Sequence, residues 1–462
     1  MNSKLKTGGT RRDFLKTTSA LAAMGITTSL TPQLLFAQSK TDLKGVSIDY
    51  YAMAHGQNPI ARGITESIIK AFEQRTGATV NTTWGGYGDI LNPKLRTMFK
   101  AGEKPTVLES MARWTGDLRP FFRPLNDFID NDLDAEIRDN IAWMFPVIRQ
   151  QNSGAPDADA IKDLPFTFFA QSPVLTRRDH WEKAGLDFDK EWPIRDSDHF
   201  IQICQELKDK KVSKYPTEVY GTQWDGFDVH LPGWIRSLDP SKGAMINEDW
   251  TRSNADSPSW TEGFQYYVDL FRKYKFSSPA SVKSTDEKAV ELFIQGRKSI
   301  VHNDAFNRGT LLAKIPELVK DGTVQWAPNF PLKGGDPDRV AFSMNMSLSM
   351  VEQEGPDAEI KEKAGWEFIK EWYREDNQIA LSNGLSPCAR ADLWESQMSA
   401  PDGYMKANAA MAKHMAAWTN HPRSAQIQYH MLAPVFADVL QGGDVATALK
   451  GYAAEVNKLL AG

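Results

Sequence analysis

The first third of the chain alternates between short β-type apolar runs and longer segments of helical period. Three short runs rich in β-branched and aromatic residues predict strands, at Val46–Tyr51, Ala78–Thr83 and Pro105–Leu108. Between the first two, Ile64, Ile68 and Phe72 recur every four residues. This spacing predicts an amphipathic helix over 62–75, and a second helix is expected over 90–100. Strands alternating with helices of this length predict an α/β fold built on a parallel sheet.

The loops that follow these strands are where a ligand is expected, because open parallel sheets bind ligands beyond the carboxyl ends of their strands. In this chain those loops are 52–59, 84–89 and 109–114. Trp84 and Tyr87 flank glycines in the second loop, and Trp114 ends the third near Ser110. The three loops are therefore the first place to look for a binding site.

The middle and end of the chain are richer in helices. Further helices are predicted from Ser197, over Ser259–Tyr274, over 284–296, over Ile360–Tyr373 and over Val445–Leu459, and further strands at Arg297–His302 and Val324–Ala327. Ser284 and Glu287 have capping-box spacing, which predicts that Ser284 caps its helix.

Length and composition indicate a globular protein with more than one core. The chain has 462 residues, of which 41% are apolar and 11% aromatic, which excludes a disordered chain. Since single cores stop growing at about 250–300 residues, two lobes are expected. The formal net charge is −5, and after the first 37 residues the sequence contains no block of Lys and Arg residues. We therefore expect neither nucleic acid nor an anionic membrane surface as a main partner.

The first 37 residues have the pattern of an export signal. Thr10–Lys16 contains Arg11 and Arg12 in a twin-arginine motif, and a mildly apolar stretch follows up to Leu30. Leu35–Ala37 offers a cleavage site after Ala37. Beyond this leader there is no run of about 18 apolar residues that would predict a transmembrane helix. The pattern predicts a cleaved signal peptide at 1–37 and a periplasmic protein.

Motifs for catalysis or for a bound cofactor do not occur in the sequence. It lacks the glycine-rich nucleotide loops, the HExxH zinc motif and the GxSxG nucleophile motif, and its eight His residues are scattered. Cys204 and Cys388 are interpreted as two ordinary thiols rather than a disulfide. Asp225 and Asp228 are a conceivable catalytic pair, although most such Asp residues lie in solvated loops. We expect no cofactor, no metal and no enzymatic activity.

Loop aromatics beside hydrogen-bonding groups are typical of a sugar site. A sugar ring has an apolar C–H face that an aromatic ring can cover, and hydroxyl groups that Asp, Asn and Arg can bind in fixed directions. Trp224 and Asp225 lie together in one loop, and Asn303 and Asp304 follow a predicted strand. A site closed between two lobes would remove both kinds of group from water together.

At this point the chain over about 43–460 resembles the extracellular solute-binding proteins of family 1, the sugar-binding receptors of ABC importers related to maltose-binding protein. Four blocks carry the resemblance, in this order: Ile68–Gly77, Phe121–Ile129, Leu292–Ile300, and Asn383–Pro387 with Arg390. Two features depart from the family pattern. Leu175–Asp179 replaces its frequent Tyr-Tyr-Asn-Lys segment, and a twin-arginine leader is less usual in the family.

The resemblance implies a bilobal periplasmic-binding-protein fold of type II, in which the chain crosses three times between two α/β lobes. On this sequence lobe 1 is placed at 40–170 plus 328–384, and lobe 2 at 171–327 plus 385–462. The crossings are expected near Phe168–Ser172, Ala327–Pro331 and Gly384–Pro387, where extended segments marked by proline suit a hinge.

The implied function is reversible capture of a mono- or oligosaccharide between the lobes and its delivery to the permease of an ABC importer. The protein is expected to be a monomer. Ten loop or strand-end residues are chosen as the binding site: Trp84, Tyr87, Ser110, Trp114 and Asn345 from lobe 1, and Trp224, Asp225, Asp228, Asn303 and Asp304 from lobe 2. The alternatives are the same receptor binding a polyol, a glycerol-phosphate compound, a polyamine or an organic acid, or a periplasmic carbohydrate-active enzyme.

Overall fold

The computed structural model describes residues 42–462 except for 54–58, 87–92, 169, 171, 222–226, 303–306 and 344. The predicted signal peptide at 1–37 lies outside the described residues. Two sheets organise the described part, and we call the regions built on them lobe 1 and lobe 2.

Lobe 1 contains a five-stranded sheet in the order β2-β1-β3-β9-β4. Its strands are β1 (Ser47–Ala52), β2 (Thr79–Trp84), β3 (Val107–Met111), β4 (Leu164–Thr167) and β9 (Met346–Met350). β1 pairs in parallel with β2 and β3, as predicted, and β9 is antiparallel to both β3 and β4. The prediction of parallel pairing is therefore confirmed for the first three strands only, because the last two pairings use a strand from much later in the chain.

Lobe 2 contains a three-stranded antiparallel sheet in the order β6-β5-β7. Its strands are β5 (Val174–Arg177), β6 (Ile300–His302) and β7 (Val324–Ala327), while β8 (Phe342–Ser343) and β10 (Ala416–Ala417) form a small separate pair. The strands of the two sheets fall on either side of the predicted lobe boundaries. The boundaries themselves remain a prediction.

Helices surround both sheets. Those of the first part are α1 (Pro59–Thr76), α2 (Pro93–Lys100), α3 (Ala112–Thr115), α4 (Asn126–Asn131), α5 (Ala135–Ile141) and α6 (Phe145–Gln151). Those of the middle are α7 (Arg178–Ala184), α8 (Phe188–Glu191), α9 (Ser197–Asp209), α10 (Phe227–Leu238), α11 (Pro258–Arg272), α12 (Asp286–Ile294), α13 (Arg308–Lys314) and α14 (Pro316–Lys320). The last are α15 (Ala358–Trp372), α16 (Glu375–Gly384), α17 (Tyr404–Ala412), a π-helix (Gln426–Leu432), α18 (Ala433–Leu440) and α19 (Val445–Ala461).

Local sequence signals explain several of these elements. In α1 the predicted Ile68 and Phe72 are fully buried, as the four-residue spacing requires. The predicted capping box in front of α12 is wrong by one residue. Thr285 is the N-cap, and its hydroxyl accepts a hydrogen bond from Lys288 N, because the chain stays extended through Thr285 before it enters the helix.

Both cysteines are buried free thiols. Cys204 lies on the apolar face of α9, and burial raises the pKa of Cys388 to about 12. Within the described ranges no helix is long and apolar enough to cross a bilayer.

The interior of lobe 2 holds two histidines in an aromatic cluster. The His302 ring centroid lies 5.1 Å from that of His230, 5.0 Å from Trp234 and 5.3 Å from Phe330. Among the described residues, the Nε2 atoms of His230 and His302 have no hydrogen-bond partner. Burial in this apolar environment lowers the pKa of His302 to about 3 and lowers that of His230 as well.

These histidines make stability dependent on pH. Between about pH 4 and about pH 5.5 the unfolded chain binds a proton at His302 that the folded protein does not, because the folded pKa is about 3 against the ordinary 6.5. The free energy of unfolding therefore rises with pH, by about 1.4 kcal/mol per pH unit from this residue. We expect His302→Phe to reduce the slope, measured by urea unfolding at several pH values, by that amount.

Asp163 provides a control, because its contribution to stability changes with pH in the opposite direction to that of His302. Its burial raises its pKa to about 6, although Arg119 and Gln151 oppose the change. Between pH 3.8 and about 6 the folded protein binds the extra proton, so this carboxyl makes stability fall as pH rises. Asp163→Asn should therefore make the free energy of unfolding rise more steeply with pH. Equal slopes in the wild type and both variants would contradict the assignment.

Candidate functional site

The carboxyl ends of β1, β2 and β3 meet at one edge of the lobe 1 sheet. Ala52 pairs with Trp84 at this edge, and Gly85 N donates to Ala52 O at 2.9 Å. A Cβ on Gly85 would lie 2.7 Å from the Tyr51 ring, so only glycine lets the chain leave β2 at this position. The chain is thus tightly packed at this edge, and the next loop begins after Trp84.

Trp84 is partly buried at this edge, and Arg62 from α1 covers one face of its ring. The Arg62 guanidinium carbon lies 4.5 Å from the ring centroid, and Arg62 Nε also donates to Glu66 at 2.9 Å. This cation–π contact occupies one face of the indole. A sugar ring would stack on the opposite face or displace Arg62.

Ser110 lies inside the sheet rather than on its edge. It is 1% exposed, its Oγ is 2.7 Å from Ser349 Oγ, and it also donates to Ser347 O at 3.4 Å. These contacts tie β3 to β9. The structure therefore pairs the Ser110 hydroxyl within the sheet, where it joins two strands.

Trp114 is buried and packs against Tyr429 of the π-helix. Its indole Nε1 donates to the Tyr429 hydroxyl at 2.5 Å, and the two ring centroids are 6.2 Å apart. Arg96 binds the backbone of Trp114, because its Nη2 donates to Trp114 O at 2.9 Å. Arg96 also forms a bidentate ion pair with Asp117. Sequence reasoning missed Tyr429, since nothing in the local pattern of the π-helix marks it as a partner for a residue 315 positions away.

Asn345 precedes β9 and is 4% exposed. Its Nδ2 and Oδ1 atoms have no hydrogen-bond partner within the part of the chain that the structure describes. A buried carboxamide with all its hydrogen-bonding groups unpaired is unfavourable, so Asn345 is a strong candidate for contact with a ligand.

Five of the predicted site residues, Tyr87, Trp224, Asp225, Asn303 and Asp304, lie outside the described residues. Asp228 is placed by its backbone in the first turn of α10, and its side chain also lies outside the description. Of the ten predicted residues the structure therefore positions the side chains of Trp84, Ser110, Trp114 and Asn345.

Glu109 is a buried carboxylate that sequence reasoning did not select. It lies on β3, is 0% exposed, and accepts a hydrogen bond from Met53 N at 2.8 Å through Oε2. Burial, and secondarily the charge of Glu109, raises the pKa of Tyr50. Glu109 thus anchors the carboxyl end of β1, from which the first of the three loops departs.

Cations near the expected cleft are engaged by carboxylates. Arg177 pairs with Asp179 at 3.0 Å, Arg178 with Glu182 at 3.0 Å and Asp189 at 2.9 Å, and Arg308 with the buried Asp402 at 2.8 Å. The side chain of Arg113 is outside the description. The described residues also contain no cluster of three or more His, Cys, Asp or Glu residues that could hold a metal ion.

Comparison with known families decides the class of this protein. Residues 67–391 match the profile of the bacterial extracellular solute-binding proteins. The chain belongs to this family. A search of curated proteins returned no significant match for this solute-binding protein.

Solved structures share the fold of this solute-binding protein. A solute-binding protein of an ABC transporter from Thermotoga lettingae, bound with α-D-tagatose, is 18% identical with a TM-score of 0.70, and the match covers 90% of this chain and 100% of that chain. Maltose-bound MalE3 of T. maritima is 18% identical with a TM-score of 0.72 at the same coverage. A solute-binding protein of an ABC transporter from Agrobacterium radiobacter, in complex with ribitol, is 18% identical with a TM-score of 0.70, over 91% of this chain and 100% of that chain. At this identity the likeness establishes the bilobal α/β fold.

The Trp114–Tyr429 hydrogen bond of this solute-binding protein leads to a test. Tyr429→Phe leaves the buried indole N–H without its acceptor, so we expect the free energy of unfolding to fall by about 1–3 kcal/mol, measured by urea denaturation.

Tyr266→Phe is a matched control, because the Tyr266 hydroxyl is buried and has no partner among the described residues. Removing an unpartnered hydroxyl should leave stability unchanged or raise it. If the two variants lose stability equally, the Trp114–Tyr429 bond does not have the role we assign to it.

Proposed function

We propose that this protein is the periplasmic receptor of an ABC importer, and that it reversibly binds a carbohydrate between its lobes. The observation that carries the proposal is the family match on a two-sheet fold whose lobe 1 sheet has Trp84 at its edge. The tagatose, maltose and ribitol complexes of structurally similar proteins support a polyhydroxy ligand. The chemistry is binding and release, with no bond made or broken.

The proposed mechanism is closure of the lobes around the ligand. A ligand shifts an open–closed equilibrium only by its difference in affinity for the two states, so both lobes must contact it. We propose Trp84, Tyr87, Trp114 and Asn345 as the lobe 1 contacts, with Ser110 moved to a supporting role in the sheet. The proposed lobe 2 contacts are Trp224, Asp225, Asp228, Asn303 and Asp304, and the hinge consists of the three predicted crossings.

The ion pairs weigh against a phosphorylated ligand. A buried phosphate needs arginines or lysines that are free to pair with it. Arg177, Arg178 and Arg308 each pair with a carboxylate instead. A neutral polyol remains the second candidate ligand, supported by the ribitol complex of a similar fold.

Export by the twin-arginine route is proposed for the leader at 1–37. The motif requires both Arg11 and Arg12, so replacing the two by lysine should leave the full-length precursor in the cytoplasm. Immunoblots of cytoplasmic and periplasmic fractions measure this, and the expected result is loss of the shortened periplasmic form. Unchanged periplasmic yield would contradict the route and leave the binding function untouched.

A ligand panel tests the function directly. Neutral sugars and polyols (maltose, D-tagatose, ribitol), glycerol 3-phosphate, D-galacturonate and putrescine are each added to the purified protein, and thermal unfolding is followed. A ligand present at 100 times its dissociation constant should stabilise the protein by about 2.7 kcal/mol. We expect a shift with neutral sugars or polyols. Turnover of an oligosaccharide, measured by product formation, would instead support an enzyme.

Two variants test the proposed aromatic contacts in the same assay. Trp84→Ala and Trp224→Ala should each weaken binding by about 10-fold, since stacking and burial of one ring face are lost. Trp250→Ala is the control, because Trp250 packs against Gly154 and His421, is not among the proposed contacts, and should affect stability alone. Unchanged affinity in both site variants would eliminate the stacking model.

A further inference from the structure

Four buried polar side chains without partners lie where the chain passes between the lobes. We call Thr167, Ser343, Asn345 and Ser386 the junction cluster. Each is at most 4% exposed. Among the described residues, the three hydroxyl groups and both carboxamide atoms of the cluster have no hydrogen-bond partner.

Backbone pairing brings these residues together around Thr167. Thr167 pairs with Met346, the residue after Asn345. Thr167 also forms an antiparallel bridge with Cys388, two residues after Ser386. Three members of the cluster are therefore neighbours at the end of β4, although they lie far apart in the sequence.

Ser343 joins the cluster from β8. Ala170, three residues after Thr167, forms an antiparallel bridge with Ser343. Phe168 N donates to Pro387 O at 3.0 Å, which holds the first and third predicted crossings side by side. The cluster thus sits at the base of the predicted hinge, between segments that belong to both lobes.

An unpartnered group of this kind is unfavourable in a folded protein. Native structures leave few buried polar atoms unpaired, and each exception calls for a missing partner. Unpartnered buried atoms also occur elsewhere in the described residues, and five of them belong to the junction cluster, in a protein of a solute-binding family.

The chemistry of the cluster limits which solute that is. Three hydroxyls and one carboxamide can all donate and accept, and none of them carries a charge. The nearby Arg390 is committed to Asp392 and to Glu136, with its Nε 3.1 Å from Asp392 Oδ1. A charged group buried against the cluster would lack a counterion, which is strongly unfavourable.

We propose that the junction cluster binds hydroxyl groups of a neutral polyhydroxy solute, and that it selects an unmodified sugar or polyol against sugar acids, phosphate esters and amines. The inference rests on the proposed function and deepens it. It adds Thr167, Ser343 and Ser386 to the site as residues that determine the class of ligand.

Thr167→Val tests the proposal, because valine has the shape of threonine without the hydroxyl. In the free protein the change removes an unpartnered group, so the melting temperature should stay the same or rise. In the complex it removes a hydrogen bond to the solute, so the dissociation constants for maltose, D-tagatose or ribitol, measured by calorimetry, should rise by about 3- to 10-fold. Ser386→Ala carries the same two expectations if Thr167→Val does not fold.

Thr76→Val is the matched control. Thr76 is also a buried threonine of lobe 1, yet its hydroxyl donates to Phe72 O at 2.8 Å and accepts from Ala78 N at 3.2 Å. This variant should lose thermal stability and keep its affinity. If Thr167→Val behaves in the same way, its hydroxyl is structural and the inference is overturned.

The wild-type panel separates this inference from the proposed function. Strongest binding of D-galacturonate, glycerol 3-phosphate or putrescine would overturn the selectivity for neutral solutes while leaving a receptor in place. Absence of binding by every probe would overturn the proposed function together with the inference. Binding of a neutral probe that weakens in Thr167→Val supports both.

Discussion

The pairing of β9 with β3 and β4 is the constraint on which the rest of the structure depends. Without Met346–Met350 the strands β3 and β4 have no common neighbour, and the lobe 1 sheet would be split. β9 follows all three strands of lobe 2 in the chain, so lobe 1 is completed only after lobe 2 has been inserted. The chain therefore leaves the lobe 1 sheet after β4 and returns to it at β9.

Hydrogen bonding to β9 also explains why polar residues are found deep in lobe 1. The Ser110 hydroxyl meets Ser349 across the β3–β9 pair, where each group satisfies the other. Asn345 directly precedes β9, and among the described residues its carboxamide has no hydrogen-bond partner. Ser110 is thus paired within the sheet, whereas Asn345 is a buried residue beside β9 that we propose as a ligand contact.

Burial has a second effect in lobe 2, where it keeps ionisable groups neutral. His302 is surrounded by Trp234, His230 and Phe330, and desolvation rather than a charged neighbour lowers its pKa. The Ser172 hydroxyl, in the first predicted crossing, lies 2.6 Å from His230 Nδ1. A hydrogen bond therefore joins this aromatic interior to the predicted crossing.

The sequence by itself determined the elements whose signals are local. The spacing of Ile68 and Phe72 is that of a helix with one buried face, and Val324–Ala327 has the predicted extent as β7. Such patterns arise because residues at the period of a helix or a strand lie on the same face of the element, and that face is buried as a whole. The resemblance of four sequence blocks to a receptor family also predicted the bilobal fold.

Only the tertiary structure decided which groups meet. The antiparallel insertion of β9, the burial of Ser110 against a strand 237 residues away, and the contact of Trp114 with Tyr429 join segments that share no local signal. The unpaired state of Asn345 belongs to the same class. A hydrogen bond, or the lack of one, depends on what the fold places within about 3 Å of an atom, and no pattern along the chain records that distance.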